Sequence, residues 1–216
     1  MRKSWIMFLS VLILFLLSSC KQSDLATESQ EFEESFAETL TVETKEYKVI
    51  AEGEYYRIRT DEAPFIQYYD VFNKRGEVVY SSSEERPLSI QMINDSILEI
   101  EIGFGTGLQQ RRYYDAEEDL FSEEYIYVIA CRDRLLAYIK IPESGSAFEN
   151  RKIVVLDMFD PETFYQEFSL DFSKVDTPVV DAAFSEDKTS LAVVYLAGEN
   201  GTETTVELDL MQDTEW

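Results

Sequence analysis

The sequence of 216 residues contains no histidine. Histidine is the usual catalytic base and the commonest zinc ligand, so its absence excludes Ser-His-Asp and Cys-His catalysis and the usual zinc sites. Cysteine is nearly as scarce: Cys20 and Cys131 are the two in the chain, too few for a thiolate metal cluster. We therefore expect no cofactor and no metal site, and no residue stands out as catalytic.

Basic residues are also few. The chain has 19 Lys and Arg against 43 Asp and Glu, which gives a formal net charge of −24. A surface of this sign repels nucleic acid and anionic lipid headgroups. We expect no nucleic-acid partner, and the charge also favours solubility at high density.

One long apolar run is present, at the N-terminus. Trp5 to Leu17 is thirteen residues long, is interrupted only by Ser10, and follows the positive pair Arg2 and Lys3. It is short for a membrane-spanning helix, which needs about 20 apolar residues. A positive head, a short apolar run and a step to small residues are the layout of a secretory signal.

The tetrapeptide Leu17-Ser18-Ser19-Cys20 resembles the lipobox of bacterial lipoproteins. The resemblance implies that residues 1–19 are a lipoprotein signal peptide and that Cys20 is lipidated. It further implies an extracytoplasmic protein anchored to the bacterial cell membrane, or to the outer membrane if the source is Gram-negative. The alternative is an ordinary signal peptide with a chance Cys at the cleavage point. With Cys20 lipidated, Cys131 has no partner within the chain and is expected to be a small buried hydrophobe.

Residues 20–46 are predicted to be an acidic tether. Residues 21–46 contain eight acids, two lysines, no glycine and no proline. Phe32, Phe36 and Leu40 recur at a helical spacing of four, but their apolar stripe is thin. We expect a disordered or partly helical spacer.

Residues 47–216 are predicted to form an all-β domain. They contain fourteen segments rich in Tyr, Phe, Val and Ile, separated by turn residues such as the Asn73–Gly76 tetrapeptide. At 45% hydrophobic residues, the chain can bury one sizeable core without disulfides. One segment, EYIYVIA (residues 124–130), is interpreted as a single strand.

A loose internal repeat favours antiparallel meanders in a propeller-like arrangement. Asp70, Asp115, Asp157 and Asp209 each close a strand-like segment, at spacings of 45, 42 and 52 residues. A period near 40–50 with two hairpins per unit is typical of β-propeller blades, and the domain has room for about four such units. The last unit lacks a final strand, which the segment near Tyr47 could supply. The alternative fold is an irregular β-sandwich.

One hairpin carries a family resemblance. FSEDKTSLAV (residues 184–193) resembles the hairpin of WD-repeat and Tol-type propellers, with Glu186 and Lys188 where that pattern has Pro and Gly. The resemblance implies a propeller-like fold and no particular activity.

Two other motifs are not sites on sequence grounds. Gly103–Gly107 lacks the third glycine of a dinucleotide fingerprint, since Leu108 stands there, and a strand-like segment follows it. Residues 115–119 (DAEED) lack the glycine and the ligand spacing of an EF-hand loop, and are interpreted as an acidic turn.

The candidate binding loop is residues 103–114 (GFGTGLQQRRYY). Three glycines make it pliable, Phe104 is an apolar tip, and Arg111 and Arg112 are an adjacent arginine pair of the kind that anchors interfaces. The alternative is that Phe104 lies in the core and the arginines pair with Glu99 or Glu101.

We therefore expect a non-catalytic binding module anchored to the membrane through Cys20, with an unknown envelope protein, peptide or glycan as partner. The alternative is a carboxylate-dependent extracellular hydrolase. A concave pocket with two carboxylates about 5–9 Å apart would favour the enzyme.

Overall fold

The computed structural model describes residues 46–61, 66–105, 107–142 and 150–211. The predicted signal peptide, the predicted lipidation site Cys20 and all of the predicted tether except Glu46 lie outside the described residues.

The described residues form fifteen β-strands in four antiparallel sheets and no helix, which confirms the all-β prediction. Sheet 1 contains β1 (Lys48–Glu52), β2 (Tyr56–Thr60), β3 (Gln67–Phe72) and β4 (Val78–Glu84). Sheet 2 contains β5 (Leu88–Met92), β6 (Ile97–Gly103), β7 (Gln109–Asp115) and β8 (Leu120–Ile126). Sheet 3 contains β9 (Val128–Arg132), β10 (Leu135–Lys140), β11 (Lys152–Asp157) and β12 (Tyr165–Ser169). Sheet 4 contains β13 (Val179–Phe184), β14 (Ser190–Ala197) and β15 (Thr202–Asp209).

Strand order in every sheet is the order of the chain, so each sheet is a meander of consecutive hairpins. The turns fall where Asn, Asp and Gly predicted them: Gly76 has φ 73°, a left-handed conformation that glycine adopts without steric cost. The predicted antiparallel meanders are therefore present.

Consecutive sheets are joined by buried apolar clusters. Sheets 1 and 2 share a cluster that includes Ile58, Tyr69, Val71, Ile90, Leu98, Ile100 and Tyr114. Sheets 2 and 3 share one that includes Ile97, Tyr113, Tyr125, Leu136, Val154, Leu156 and Met158. Sheets 3 and 4 share one that includes Ala137, Ile153, Val155, Leu191, Val193, Tyr195 and Leu208.

Sheets 2 and 3 bury both of their faces. Successive side chains of a strand point to opposite faces, so Ile97 contacts the sheet 3 side while Leu98 contacts the sheet 1 side. In β11, Val154 and Val155 divide in the same way between the neighbouring clusters. Double burial explains why β11 is continuously apolar rather than alternating.

The predicted strand 124–130 is in fact two strands, and this interpretation was wrong. Tyr127 separates β8 of sheet 2 from β9 of sheet 3 and has φ 59°, in the left-handed region. A residue in that conformation breaks the extended backbone and lets the chain pass from one sheet to the next. In the sequence, strand-forming residues continue on both sides of Tyr127, so the two strands look like one long strand.

The prediction that the segment near Tyr47 completes the last unit is also wrong. β1 pairs antiparallel with β2, with Lys48 opposite Thr60. The Gly53 N–H closes that hairpin by donating to the Tyr56 carbonyl at 2.9 Å. A neighbouring strand joined by a short turn is a nearer partner than one from the last sheet, and sheet 4 keeps three strands.

The aspartate repeat corresponds to a structural repeat in three of its four members. Asp115, Asp157 and Asp209 end the third strands of sheets 2, 3 and 4, and each accepts a backbone N–H from two residues further on, at 2.8–2.9 Å. Asp70 differs, because it lies within β3 and accepts from Arg59 and Ser81, each at 2.7 Å. We use the name Asp end for the end of each sheet at which its third strand finishes.

One arginine connects two sheets at the Asp end. Arg134, in the turn between β9 and β10, binds Asp157 of its own sheet at 3.0 Å and Asp115 and Glu118 of sheet 2 at 3.4 and 2.8 Å. Burial opposes the charge of the guanidinium, but the hydrogen bonds that it donates to Asp157 and Glu118 raise the pKa of Arg134. Its guanidinium also lies 5.1 Å from the ring centroid of Phe159.

Replacing Arg134 tests this connection. Arg134→Met should lower the free energy of unfolding by about 1–3 kcal/mol, because the buried Asp115 carboxylate loses its cation. Urea unfolding at pH 7 measures the change. Arg75→Met is the control: Arg75 is 73% exposed in its pair with Glu77, and its loss should cost less than about 0.5 kcal/mol. Equal effects of the two substitutions would contradict the role given to Arg134.

Candidate functional site

The candidate loop joins β6 to β7 at the edge of sheet 2 opposite the Asp end. Gly105 and Gly107 both have φ 79°, and a Cβ added to either would meet nothing within 4 Å, so the glycines serve backbone conformation rather than close packing. The Phe104 N–H donates to the Leu108 carbonyl at 2.9 Å and closes the base of the loop. The loop is therefore a turn with a defined base.

Phe104 lies on the surface. Its side chain is 37% exposed and stacks on Arg86, whose guanidinium carbon is 4.5 Å from the ring centroid. Arg86 is in turn held by Glu84 through two hydrogen bonds of 2.7 and 2.8 Å. These bonds lower the pKa of Glu84, despite some opposing desolvation. The ring of Phe104 therefore contacts an arginine that is itself paired with Glu84.

Arg111 and Arg112 do not form one patch. They are adjacent in β7, so their side chains point to opposite faces of sheet 2. Arg111 pairs with Glu101 at 2.9 Å and lies 3.8 Å from Glu99. Arg112 lies over the Phe121 ring at 4.5 Å, and its Nε donates to the Ser122 carbonyl at 3.3 Å. The pairing with Glu99 and Glu101 is the arrangement that the sequence offered as the alternative.

A buried polar cluster surrounds Glu99 between sheets 2 and 3. Glu99 is only 5% exposed and accepts hydrogen bonds from the Tyr113 hydroxyl at 3.0 Å and the Gln91 amide at 2.8 Å. Burial opposes the charge of Arg111, but Glu99 and its neighbours raise the arginine's pKa. Burial, more than the nearby charges, raises the pKa of Tyr113. In this cluster Arg111 lies beside Glu99, and the Tyr113 phenol stays protonated.

Cys131 lies beside this cluster. The side chain is partly buried and packs against the apolar cluster that joins sheets 2 and 3. Burial, with a further contribution from Glu99, raises the pKa of the thiol to about 12. Because the thiolate is the reactive form, we expect this thiol to react slowly at neutral pH.

A groove between sheets 1 and 2 lies on the Arg112 side of β7. Its cavity is about 160 Å³, and we call it the Tyr80 groove. Its described lining residues are Tyr69, Tyr80, Ser82, Glu84, Arg86, Ile100, Ile102, Gln110, Arg112 and Glu124. Aromatic surface with hydroxyl, amide and charged groups at its margin suits a polar ligand that has flat faces.

One wall of this groove is formed by β4, and it was not predicted from the sequence. Tyr80, Ser82 and Glu84 occur at every second position of β4, and all three line the groove. That period-two spacing was a readable signal of one shared face. The opposite wall comes from sheet 2, however, and the packing of two sheets is not visible in the spacing.

A second cavity, of about 150 Å³, lies on the Arg111 side of β7. Its described lining residues are Gly107, Leu108, Gln109, Arg111, Tyr127, Val128, Ile129, Ile139, Thr177 and Val179. Arg111 is the charged group among them, and it is already paired with Glu101. This cavity therefore offers fewer polar contacts to a ligand than the Tyr80 groove.

Two further observations concern the described residues as a whole. They contain no group of three or more Cys, Asp or Glu side chains placed to hold a metal ion. Nor do they contain a helix of the length and apolar character needed to cross a bilayer.

No protein-family model and no curated protein matches the sequence. Among solved structures, the chain is similar to the 1.18 Å crystal structure of the uncharacterized protein lmo1340 from Listeria monocytogenes EGD-e, with 10% identity and a TM-score of 0.32. The match covers 78% of this chain and 56% of that one, so this chain spans little more than half the length of that protein. A likeness at this level carries no argument about function.

The Glu99 cluster generates a prediction about stability. Arg111→Met should lower the free energy of unfolding by about 1–3 kcal/mol, because Glu99 stays buried without its nearby cation. Adding Glu99→Gln should recover part of that loss, since a neutral amide needs no cation. Denaturant titration of the two single variants and the double variant gives the coupling energy.

A coupling of at least about 0.5 kcal/mol is expected between Arg111 and Glu99. The control pair is Arg112→Met with Glu99→Gln: Arg112 lies on the other face of the sheet, and its effect should add to that of Glu99. Additive changes in the free energy of unfolding for both pairs would show that Arg111 does not stabilise the buried Glu99 carboxylate.

Proposed function

We propose that the protein is an exported bacterial lipoprotein, anchored through Cys20, whose β-domain is a non-catalytic binding module. The four-residue lipobox after a thirteen-residue apolar run supports the anchor. The lipid places the domain outside the cytoplasm, on the cell membrane or on the outer membrane of a Gram-negative cell. Acyl chains hold firmly when two or more are attached, since each buried methylene contributes about 0.8 kcal/mol.

The proposal includes a propeller-like arrangement of the four sheets as blades. It is supported by the strand order, in which each sheet is a chain-order meander, and by the burial of apolar clusters between consecutive sheets. An irregular sandwich of stacked sheets is compatible with the same contacts. Either arrangement leaves the loop of Phe104 and the Tyr80 groove at the margin of sheets 1 and 2.

The binding role rests on the Tyr80 groove. Two arginines and two glutamates line it, so the groove is locally balanced in charge although the chain carries −24. Hydroxyl, amide and ionic groups beside tyrosine rings can bind the hydroxyls and the apolar faces of sugar rings. The partner that fits this lining best is a neutral glycan of the cell envelope, with a peptide or an envelope protein as the other candidates.

The residues that line the groove give less support to the alternative of a carboxylate-dependent hydrolase. Glu84 and Glu124 both line the groove, but Glu84 is tied to Arg86 by two hydrogen bonds that lower its pKa. Glycoside hydrolysis needs a carboxylic acid whose pKa is raised, so that it can donate a proton. The shift of Glu84 has the opposite sign, and binding is the function we propose.

The anchor is tested by metabolic labelling. Radiolabelled palmitate should be incorporated into the wild-type protein, while Cys20→Ala should remain unlabelled and keep its signal peptide. Cys131→Ala is the matched control and should be labelled like the wild type, because Cys131 is outside the lipobox and its thiol packs, partly buried, against the cluster between sheets 2 and 3. Equal labelling of the Cys20 variant and the wild type would rule the anchor out.

The binding site is tested on an array of neutral oligosaccharides. Wild-type protein should bind a subset of them, and Gln110→Ala with Glu124→Ala should weaken that binding at least tenfold, because both side chains line the Tyr80 groove. The melting temperature should change little, because Glu124 is exposed and Gln110 is only partly buried. Leu120→Ser is the control: Leu120 is 40% exposed at the other edge of sheet 2, and its loss should leave binding intact. Full binding by the double variant would place the site elsewhere.

A further inference from the structure

Among the described residues, sheet 4 has three strands, whereas each of the other sheets has four. In sheets 1, 2 and 3 the third strand pairs with a fourth: β3 with β4, β7 with β8, and β11 with β12. In sheet 4 the third strand, β15, pairs with β14 on one side and with no described residue on the other. Among the described residues, β15 therefore lacks the fourth strand that pairs with the third strand in each of the other sheets.

The backbone groups at this edge are arranged for pairing. The register of β14 and β15 runs from Ser190 opposite Asp209 to Ala197 opposite Thr202, and in its continuation the Leu210 N–H donates to the Thr189 carbonyl at 2.9 Å. Backbone groups alternate sides along a strand, so even-numbered residues of β15 face β14. The N–H and C=O groups of Glu203, Thr205 and Glu207 therefore point to the open edge.

The edge is long enough to hold a strand. β15 has eight residues without proline or glycine, whereas β7, which binds β8 at the same position of sheet 2, has seven. An open edge of this length is a template for adding a strand from another chain.

The charge of the edge indicates what kind of strand fits. Glu203, Glu207 and Asp209 are exposed on β15, and no Lys or Arg is in the strand. In two of the completed sheets, opposite charges of the third and fourth strands are neighbours: Arg112 lies opposite Glu124, and Lys152 binds Glu167, which is diagonal to it, at 2.5 Å. Opposite charges on neighbouring strands stabilise a sheet, so a fourth strand with basic residues fits the acids of β15.

A second copy of the chain fits this edge poorly. Antiparallel pairing of β15 with itself would bring the acids of one strand against those of the other, and facing like charges destabilise a sheet. We propose that the open edge of β15 binds an extended segment of a partner protein with Lys or Arg at alternate positions, which completes sheet 4 as its fourth strand. This surface is separate from the Tyr80 groove and does not depend on the glycan proposal.

The test uses the full mature chain in detergent and three fluorescent eight-residue peptides. One alternates Thr and Lys, one alternates Thr and Glu, and one has the composition of the first with its four lysines in a block. The alternating Thr-Lys peptide should bind at least tenfold more tightly than either of the others. Equal binding of the two lysine peptides would reduce the effect to unspecific charge attraction and overturn the proposal.

Two variants locate the binding on β15. Thr205→Pro removes an N–H that faces the open edge and should weaken binding of the Thr-Lys peptide at least tenfold, while Thr205→Ala should bind it like the wild type. Glu203→Lys with Glu207→Lys should reverse the preference in favour of the Thr-Glu peptide, which keeps the test decisive if the proline variant does not fold.

Unchanged binding by Thr205→Pro and by the double lysine variant would overturn the proposal. So would a wild-type dimer in sedimentation that Thr205→Pro converts to monomer, because the edge would then be a self-association surface.

Discussion

The structure depends on the burial of apolar faces between consecutive β-sheets. An antiparallel sheet of four strands has two faces and cannot stay folded alone in water with both exposed. Here sheets 2 and 3 place residues such as Leu98 and Val154 against one neighbour and Ile97 and Val155 against the other. Each fully buried aliphatic side chain contributes about 1.5–3 kcal/mol. No disulfide joins the described residues, so this packing is what holds the four meanders together.

A few ion pairs connect neighbouring sheets, although most of the described ion pairs lie within one sheet, as Arg57–Glu52 and Arg111–Glu101 do. Arg134 serves three carboxylates from two sheets, and Lys188 pairs with Asp133 across sheets 4 and 3. Lys74 and Glu117 connect sheets 1 and 2 in the same way, at 2.8 Å. These ion pairs stabilise the same arrangement of consecutive sheets that the apolar clusters hold together.

Much of the fold could be predicted from the sequence, because strand composition and turn residues are local signals. The errors arose where two sheets meet. Tyr127 lies in a run of strand-forming residues that continues on both sides of it, so its neighbours in sequence do not mark the end of a strand. Asp70 shares the Tyr-Tyr-Asp pattern of Asp115 but lies inside its strand, since the turn of sheet 1 is made by Asn73 instead. The candidate site divides similarly: the surface position of Phe104 follows from its glycine loop, whereas the Tyr80 groove exists only because two sheets pack.

The central claim is that sheets 2 and 3, buried on both faces, are the most stable part of the domain. Native-state hydrogen exchange tests this most directly. Backbone amides of β6, β10 and β11 that lie in ladder pairs should exchange last and at a common rate set by global unfolding. Those of β2 and β14, in sheets with one buried face, should exchange earlier. Slowest exchange in sheet 1 or sheet 4, or four separate rates for four sheets, would contradict the account.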